Sequence, residues 1–259
     1  MIKPYLNIKT QGVGPNLVLL HGWGGNNAVF DNLIPSLSNY RVHCVDLPGF
    51  GDSDELKGDI NNWCDALVGA LPSDSIWLGW SLGGLVAMKI ALLNPNTVKA
   101  LVTVSSSPCF IAKKNEKWPG ILPKVLDQFS SQLIDNLPKT VERFLAIQAM
   151  GSETAKDDIR HLKQLLLAKK LPNQTALKQG LNILKTVDLT KEISAISCPW
   201  LRIWGRLDGL IPNKIIPLMP QSELYQDVIF PKASHGAFIS HRHEFEQQLI
   251  VWLETINGI

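Results

Sequence analysis

Short, unbroken apolar runs alternate along this chain with longer stretches in which apolar residues recur every three or four positions. Leu17-Val18-Leu19-Leu20 is the first such run, and with no polar residue in alternation it reads as a strand buried on both faces. His21-Gly22-Trp23-Gly24-Gly25 follows and frees the backbone. Ala28 to Leu37 carries Val29, Phe30, Leu33, Ile34 and Leu37 at helical spacing, and Arg41 to Asp46 is the next strand. That strand runs into Leu47-Pro48-Gly49-Phe50-Gly51-Asp52-Ser53, a loop of turn residues. A helix over about Ile60 to Leu71, a strand at Ser75 to Leu78, a helix over Leu85 to Leu93 and a strand at Lys99 to Val104 continue the alternation. Strands alternating with helices predict an α/β architecture with a mostly parallel sheet, right-handed crossovers and flanking helices.

From about Phe110 to Thr186 the pattern changes. No strand-like run occurs, and the apolar residues follow helical spacing in four segments broken by Pro123, Pro138, Gly151 and Pro172. Strands then resume at Pro199 to Trp204 and Gln226 to Phe230, and a helix from about Glu244 to Ile256 closes the chain with Phe245, Leu249, Trp252 and Leu253 on one face. The expected organisation is a core made of residues 1–109 and 188–259, with an inserted helical cap over 110–187.

Bulk properties narrow the classes. The 259 residues suffice for one large α/β domain with a smaller insertion. Lys3 and Pro4 stand where a secretory apolar core would lie, and no run approaches the ~18 apolar residues of a membrane span, so a soluble, unprocessed chain is expected. The four cysteines, Cys44, Cys64, Cys109 and Cys198, have no C-x-x-C spacing, which favours reduced structural thiols and a cytoplasmic location. No metal-ligand spacing, P-loop or dinucleotide-binding glycine pattern occurs, and the aromatic residues are not interleaved with a basic stripe. Neither a cofactor, a metal, a nucleic acid nor a membrane is therefore expected as a partner.

The chemistry centres on Gly79-Trp80-Ser81-Leu82-Gly83, which has the G-x-S-x-G form of a nucleophile elbow with a strand before it and a helix after it. The plain alternative is a polar turn between two core elements. A serine hydroxyl is a weak nucleophile at neutral pH, so Ser81 needs a base and the base needs an orienting acid. Of six histidines, His235 lies in Ala233-Ser234-His235-Gly236, just past the last strand and at the same edge of a parallel sheet as Ser81. Asp208, in Gly205-Arg206-Leu207-Asp208-Gly209, follows the Trp200 to Trp204 strand and precedes His235 in the order Ser, Asp, His. The rival position after the Lys99 to Val104 strand offers Ser105, Ser106 and Ser107 but no carboxylate before Glu116. An oxyanion would take backbone N–H groups from Leu82, after the nucleophile, and Trp23, in the glycine loop. The Trp23 side chain lines a pocket or simply fills the core.

His21-Gly22-Trp23-Gly24, Asp46 to Ser53, Gly79 to Gly84, Asp208 and His235 together resemble the α/β-hydrolase superfamily in residue and in order. The chain further resembles the family of pimeloyl-[acyl-carrier protein] methyl ester esterases through Leu19 to Gly24, Trp77 to Ala87, Ser106 to Phe110, Trp118-Pro119-Gly120, Thr140 to Ala146 and Phe238 to His241. The resemblance implies an α/β-hydrolase fold and hydrolysis of a methyl ester at the far end of a seven-carbon chain carried on acyl carrier protein. It also implies an acyl site formed by Trp23, Leu82, Phe144, Leu145, Ala146, Ile147 and Gln148 with His235.

Charge is concentrated in the insertion. Residues 110–187 hold thirteen Lys and Arg against seven Asp and Glu, whereas the rest of the chain holds twelve against sixteen. Lys139 and Arg143 are four apart on one predicted helix, and Lys156 and Arg160 repeat that spacing on the next. Such a stripe suits an acidic acyl carrier protein docking on a monomeric enzyme, or is simply a solvated helix face. A general short-chain carboxylesterase and a ligand-binding relative without turnover stand as the other readings of this sequence.

Overall fold

The unbroken apolar runs form the middle of one sheet. The computed structural model describes residues 4–135, 137–149, 155–167, 169 and 172–257. Strands β1 (Ile8–Gln11), β2 (Asn16–Leu20), β3 (Arg41–Val45), β4 (Ser75–Trp80), β5 (Val98–Val104), β6 (Trp200–Gly205) and β7 (Tyr225–Phe230) lie in the order β1-β3-β2-β4-β5-β6-β7. All pairings are parallel except β1 with β3. The short, polar β1 was not legible in the sequence, because an edge strand with a half-exposed face carries no apolar run. The order sets β2 between β3 and β4, where the winding reverses, so the loops leaving β2 and β4 border one crevice at the carboxyl edge.

Helices α1 (Ile60–Ala70), α2 (Leu82–Leu93), α7 (Ala237–Ser240) and α8 (Arg242–Asn257) belong to the same body. α1 starts at a capping box in which Asp59 accepts from Asn62 N and the Asn62 side chain accepts from Asp59 N. α2 is apolar nearly all round and packs against β2, β4, β5 and α1. The helix expected over Ala28 to Leu37 is instead a pair of 3-10 turns, Asn27–Phe30 and Ile34–Leu37. Asn26 caps the first through Ala28 N, and Pro35 has no N–H with which to continue an α-helical ladder. The apolar residues of that stretch are nonetheless buried.

Between β5 and β6 lie α3 (Pro123–Asp135), α4 (Leu137–Ala149), α5 (Ala155–Leu167) and α6 (Gln174–Thr186). Pro123 and Pro138 stand in the first turns of α3 and α4, where a missing N–H costs nothing, and Asn173 caps α6 through Ala176 N. Gly151, expected as a break, lies outside the described residues. Before α3 the chain is not wholly without strand character, since Ile111 bridges Ile121 and Lys113 bridges Trp118.

Two loops at the crevice are tied to each other by a buried polar group. His21 accepts from Leu47 N through Nε2 at 3.0 Å, and its Nδ1 lies 2.7 Å from Gly22 O. The ring therefore carries its hydrogen on Nδ1 and joins the loop after β2 to the loop after β3. Burial pushes its pKa below the ordinary 6.5. Asp46 lies alongside, accepting from Asn27 N at 2.6 Å, Asn7 Nδ2 at 2.7 Å, Asp52 N at 3.0 Å and Lys169 Nζ at 3.2 Å. Burial alone would raise the Asp46 pKa, but the neighbouring His21 ring and these N–H donors hold it below the usual carboxylate value.

Because burial holds the folded-state pKa of His21 below its ordinary value when unfolded, its contribution is fully present above pH 6.5 and is lost as pH falls from there through the folded-state value. Tm measured between pH 7.5 and 5 should therefore fall on acidification, and His21→Gln, whose amide can still accept from Leu47 N, should flatten that slope. At the other side of the sheet, the fully buried Arg202 guanidinium is paired with Asp227 at 2.9 and 2.6 Å, donates to Pro220 O, and lies against the rings of Trp200 and Tyr225. Asp227→Ala leaves that charge uncompensated and should cost about 3–5 kcal/mol in urea unfolding. Arg202→Met in the Asp227→Ala background should recover much of the loss.

Candidate active site

The chain reverses at Ser81. It has φ 55 and ψ −117, a left-handed conformation that L residues adopt at a cost of about 1–3 kcal/mol. The surroundings hold it there. Ser81 N donates to Val104 O at 3.0 Å, and Ser81 O accepts from Gly84 N, Leu85 N and, at 2.7 Å, Ser106 Oγ. The start of α2 can come this close to the end of β2 only because Gly83 has no side chain, since a methyl there would collide with the carbonyl oxygens of Leu20 and His21. Ser106, in the serine run passed over as a source of the acid, thus pins the elbow instead.

His235 lies between β7 and α7, and Asp208 in the loop after β6. Asp208 Oδ2 stands 2.8 Å from His235 Nδ1, while Asp208 Oδ1 accepts from Leu210 N at 2.8 Å and Ile211 N at 3.0 Å. A carboxylate only accepts, so the hydrogen of the ring sits on Nδ1 and Nε2 is left as the acceptor. Nε2 is enclosed and makes no hydrogen bond. The backbone of His235 is held at both ends, its carbonyl by Trp80 Nε1 at 2.9 Å and its N–H by Gln148 O at 3.1 Å. Trp80 immediately precedes Ser81, so the histidine is tied to the elbow through its neighbour. The structure brings Asp208 and His235 into direct contact, and it leaves Nε2 open rather than bonded to Ser81.

Trp23 lies in the loop after β2 and Leu82 opens α2, and the side chains of both approach Gly180 of α6. A methyl at Gly22 would stand 3.1 Å from Ser81 Cβ, which measures how closely the glycine loop lies over the serine. The Trp23 indole is fully buried, donates to Leu177 O at 2.8 Å, and meets the Phe144 ring edge-on at 4.5 Å. Phe144 in turn packs against Phe129. Gln148, 1% exposed, has both amide atoms buried and without a hydrogen-bond partner. An unsatisfied amide of this kind costs about 1–3 kcal/mol and so marks a place where a ligand group can compensate. Ala146 and Ile147 are half-buried on the same helix, and the Leu145 side chain lies outside the described residues. Ser81 itself is 1% exposed.

The basic residues of α4 and α5 lie on the outside. Arg143 is exposed, donating to Gln132 Oε1 and lying over the Phe129 ring, Arg160 pairs with Asp157, and Lys163 crosses from α5 to Glu142 on α4. Lys139 and Lys156 are exposed on the same two helices. The contributions of α6 escaped sequence reading. Leu177 and Gly180 face Trp23, and their helical periodicity looks like that of any core-facing stripe. Lys169, likewise unread, reaches Asn27 Oδ1 at 2.6 Å and Asp46 below it. Among the described residues no cluster of His, Cys, Asp or Glu is arranged to hold a metal ion. The four thiols are unpaired, and burial pushes those of Cys44 and Cys64 up to about 12.

Residues 15–242 match the family model described as the alpha/beta hydrolase fold. The chain is 57% identical over 251 residues, 97% of its length and 95% of the relative's, to a protein of Shewanella sp. (strain MR-7) named pimeloyl-[acyl-carrier protein] methyl ester esterase. A protein of the same name from Aeromonas hydrophila subsp. hydrophila is 50% identical, with 93% of this chain and 96% of that one covered. Among solved structures, an esterase from Exiguobacterium antarcticum superposes with a TM-score of 0.86 at 22% identity over 97% of this chain and 96% of that one. An enol-lactonase from Burkholderia xenovorans LB400 gives 0.85 at 17% identity, covering 96% of each. At those identities the structures speak for the fold alone. The family match and the near full-length relatives show that the chain belongs to the α/β-hydrolase fold family.

Proposed function

We propose that this chain is a serine carboxylesterase that hydrolyses the methyl ester of pimeloyl-[acyl-carrier protein], releasing methanol and pimeloyl-[acyl-carrier protein] for biotin synthesis. The substrate is carried by one observation: the identity to relatives of that name covers 97% of this chain and so runs through the helices between β5 and β6 as well as the sheet. Core motifs alone would leave the substrate open.

The chemistry follows from the contacts at the elbow. Asp208, its second oxygen held by two N–H groups, keeps His235 in the tautomer whose Nε2 accepts a proton. His235 takes the proton of Ser81 as Ser81 Oγ attacks the ester carbonyl, and the N–H groups of Trp23 and Leu82 hold the resulting oxyanion. Collapse of that intermediate expels methanol, which carries off the proton from His235. Water, deprotonated by His235, then attacks the acyl-enzyme, Ser81 recovers its proton and the free acid leaves. No cofactor enters the sequence.

Residues 110–187 act in this reading as a cap over the site. Phe144 with Trp23 and Leu82, together with Ala146 and Ile147, forms the wall for the acyl chain, and the unpartnered Gln148 amide is placed for a polar group of the substrate. Lys139, Arg143, Lys156 and Arg160 form the docking face for the acidic carrier. The Arg160–Asp157 pair of the free enzyme is exposed on both sides and contributes little, so a carrier carboxylate can replace Asp157 at small cost. The chain works as a monomer in the cytoplasm, a compartment in keeping with its four free thiols. Among the described residues no helix is long and apolar enough to cross a membrane.

A fluorophosphonate should label the protein at Ser81, and Ser81→Ala should abolish labelling and lower kcat by about 10⁴-fold or more. Labelling retained in that variant defeats the mechanism. For the partner, kcat/KM on carrier-linked methyl ester should fall steeply with ionic strength, and on Arg143→Glu by about 10-fold, while p-nitrophenyl acetate is hydrolysed at an unchanged rate. Equal sensitivity of the two substrates would remove the docking face and favour a general short-chain esterase.

A further inference from the structure

We infer that Gly180 of α6 is a positioning residue for the oxyanion donors, so that the inserted helices set the geometry of the reaction centre as well as the shape of the pocket. The inference rests on the esterase reading and on Trp23 as a donor. A methyl group at Gly180 would stand 2.7 Å from Trp23 Cδ1, 3.2 Å from Trp23 Nε1 and 3.4 Å from Leu82 Cδ2. These are the side chains of the two residues whose backbone N–H groups face the oxyanion. One turn earlier on the same helical face, Leu177 O accepts the Trp23 indole N–H at 2.8 Å. The bare backbone at Gly180 is what lets the helix come close enough for that bond.

Neither partner has room to yield. The indole is fully buried, with Phe144 edge-on at 4.5 Å. α6 is fastened from its other side, where Gln179 Nε2 donates to Leu56 O at 2.8 Å and Gly58 O at 2.9 Å, and Asn173 Nδ2 donates to Glu55 Oε2 at 3.1 Å. Its first turn also meets the loop after β3, for a methyl at Gly49 would stand 2.5 Å from Ala176 Cβ. A side chain at 180 therefore transmits its displacement to Trp23 and through it to the loop of residues 21–25, which lies directly over Ser81. In a packed interior such a shift cannot be absorbed locally.

Helix propensity supplies a contrast between this role and a passive one. In a helix interior alanine is intrinsically preferred to glycine, so an idle Gly180 replaced by alanine would leave turnover alone and raise Tm. The inference instead expects Gly180→Ala to lower kcat on p-nitrophenyl acetate by about 10-fold with KM within about twofold, since a sub-ångström misplacement acts on the transition state. Affinity for a trifluoromethyl ketone, whose adduct with Ser81 places an anion between the same N–H groups, should weaken by the same factor as kcat/KM. Trp23→Ala removes the indole N–H and the colliding atoms together, so adding Gly180→Ala to that background should cost less than about twofold. Wild-type kcat in Gly180→Ala overturns the inference, as does a loss of equal size in the Trp23→Ala background. So does a lower Tm accompanied by a reduced fraction of titratable Ser81, which would mark a folding defect. A wild-type chain that neither labels at Ser81 nor turns over overturns the esterase reading and this inference with it. Normal wild-type behaviour with an unaffected Gly180→Ala overturns this inference alone.

Discussion

The reversal at Ser81 is the constraint on which the rest depends. A serine at φ 55 is tolerable only if the strand before it, the helix after it and the strand beside it all hold it there. β4 provides the rigid approach, α2 the N–H groups of Gly84 and Leu85, β5 the carbonyl of Val104, and the turn after β5 the hydroxyl of Ser106. The cost of the strained residue is thus spread over several hydrogen bonds that a simple turn would not need. In return the side chain stands at the crevice with the glycine loop over it and the His235 loop beside it.

The parts around the elbow are tied to one another more than to Ser81 itself. Trp80 holds the His235 carbonyl, Gln148 on α4 holds the His235 N–H, and His21 joins the loops that follow β2 and β3. Lys169 reaches down from the segment before α6 to Asn27 and the buried Asp46. Helices that were expected to select the substrate therefore also touch the residues around the elbow. That coupling gives a physical reason why acyl selectivity and turnover would be hard to alter separately in this fold.

The architecture was largely legible because buried parallel strands leave an unmistakable mark. Leu17 to Leu20 and Ser75 to Trp80 carry no alternation because both faces are covered, and Leu82 to Leu93 is apolar nearly all round because it lies against the sheet. The mark fails where burial is one-sided or the backbone is irregular. The edge strand Ile8–Gln11 has no apolar run, and the stretch from Asn27 to Leu37 shows that apolar spacing reports which residues are buried without reporting which hydrogen-bond ladder they use. Asn26 and Pro35, both local, decided the latter.

Read alone, the sequence determined the order of the parallel strands, the elbow serine, and the pairing of Asp208 with His235, because each follows from chain order at one edge of a parallel sheet. It could also mark Phe144 and Gln148 by resemblance. Only the tertiary structure decided what those residues meet: Phe144 edge-on to Trp23, a Gln148 amide left unpartnered, Ser106 on the elbow carbonyl, Leu177 and Gly180 against the indole. One of these contacts, Trp23 with Leu177, joins positions 154 residues apart. Local periodicity records which face of a helix is buried, whereas the partner on that face is set by how the helices seat on the sheet, which no window of sequence contains.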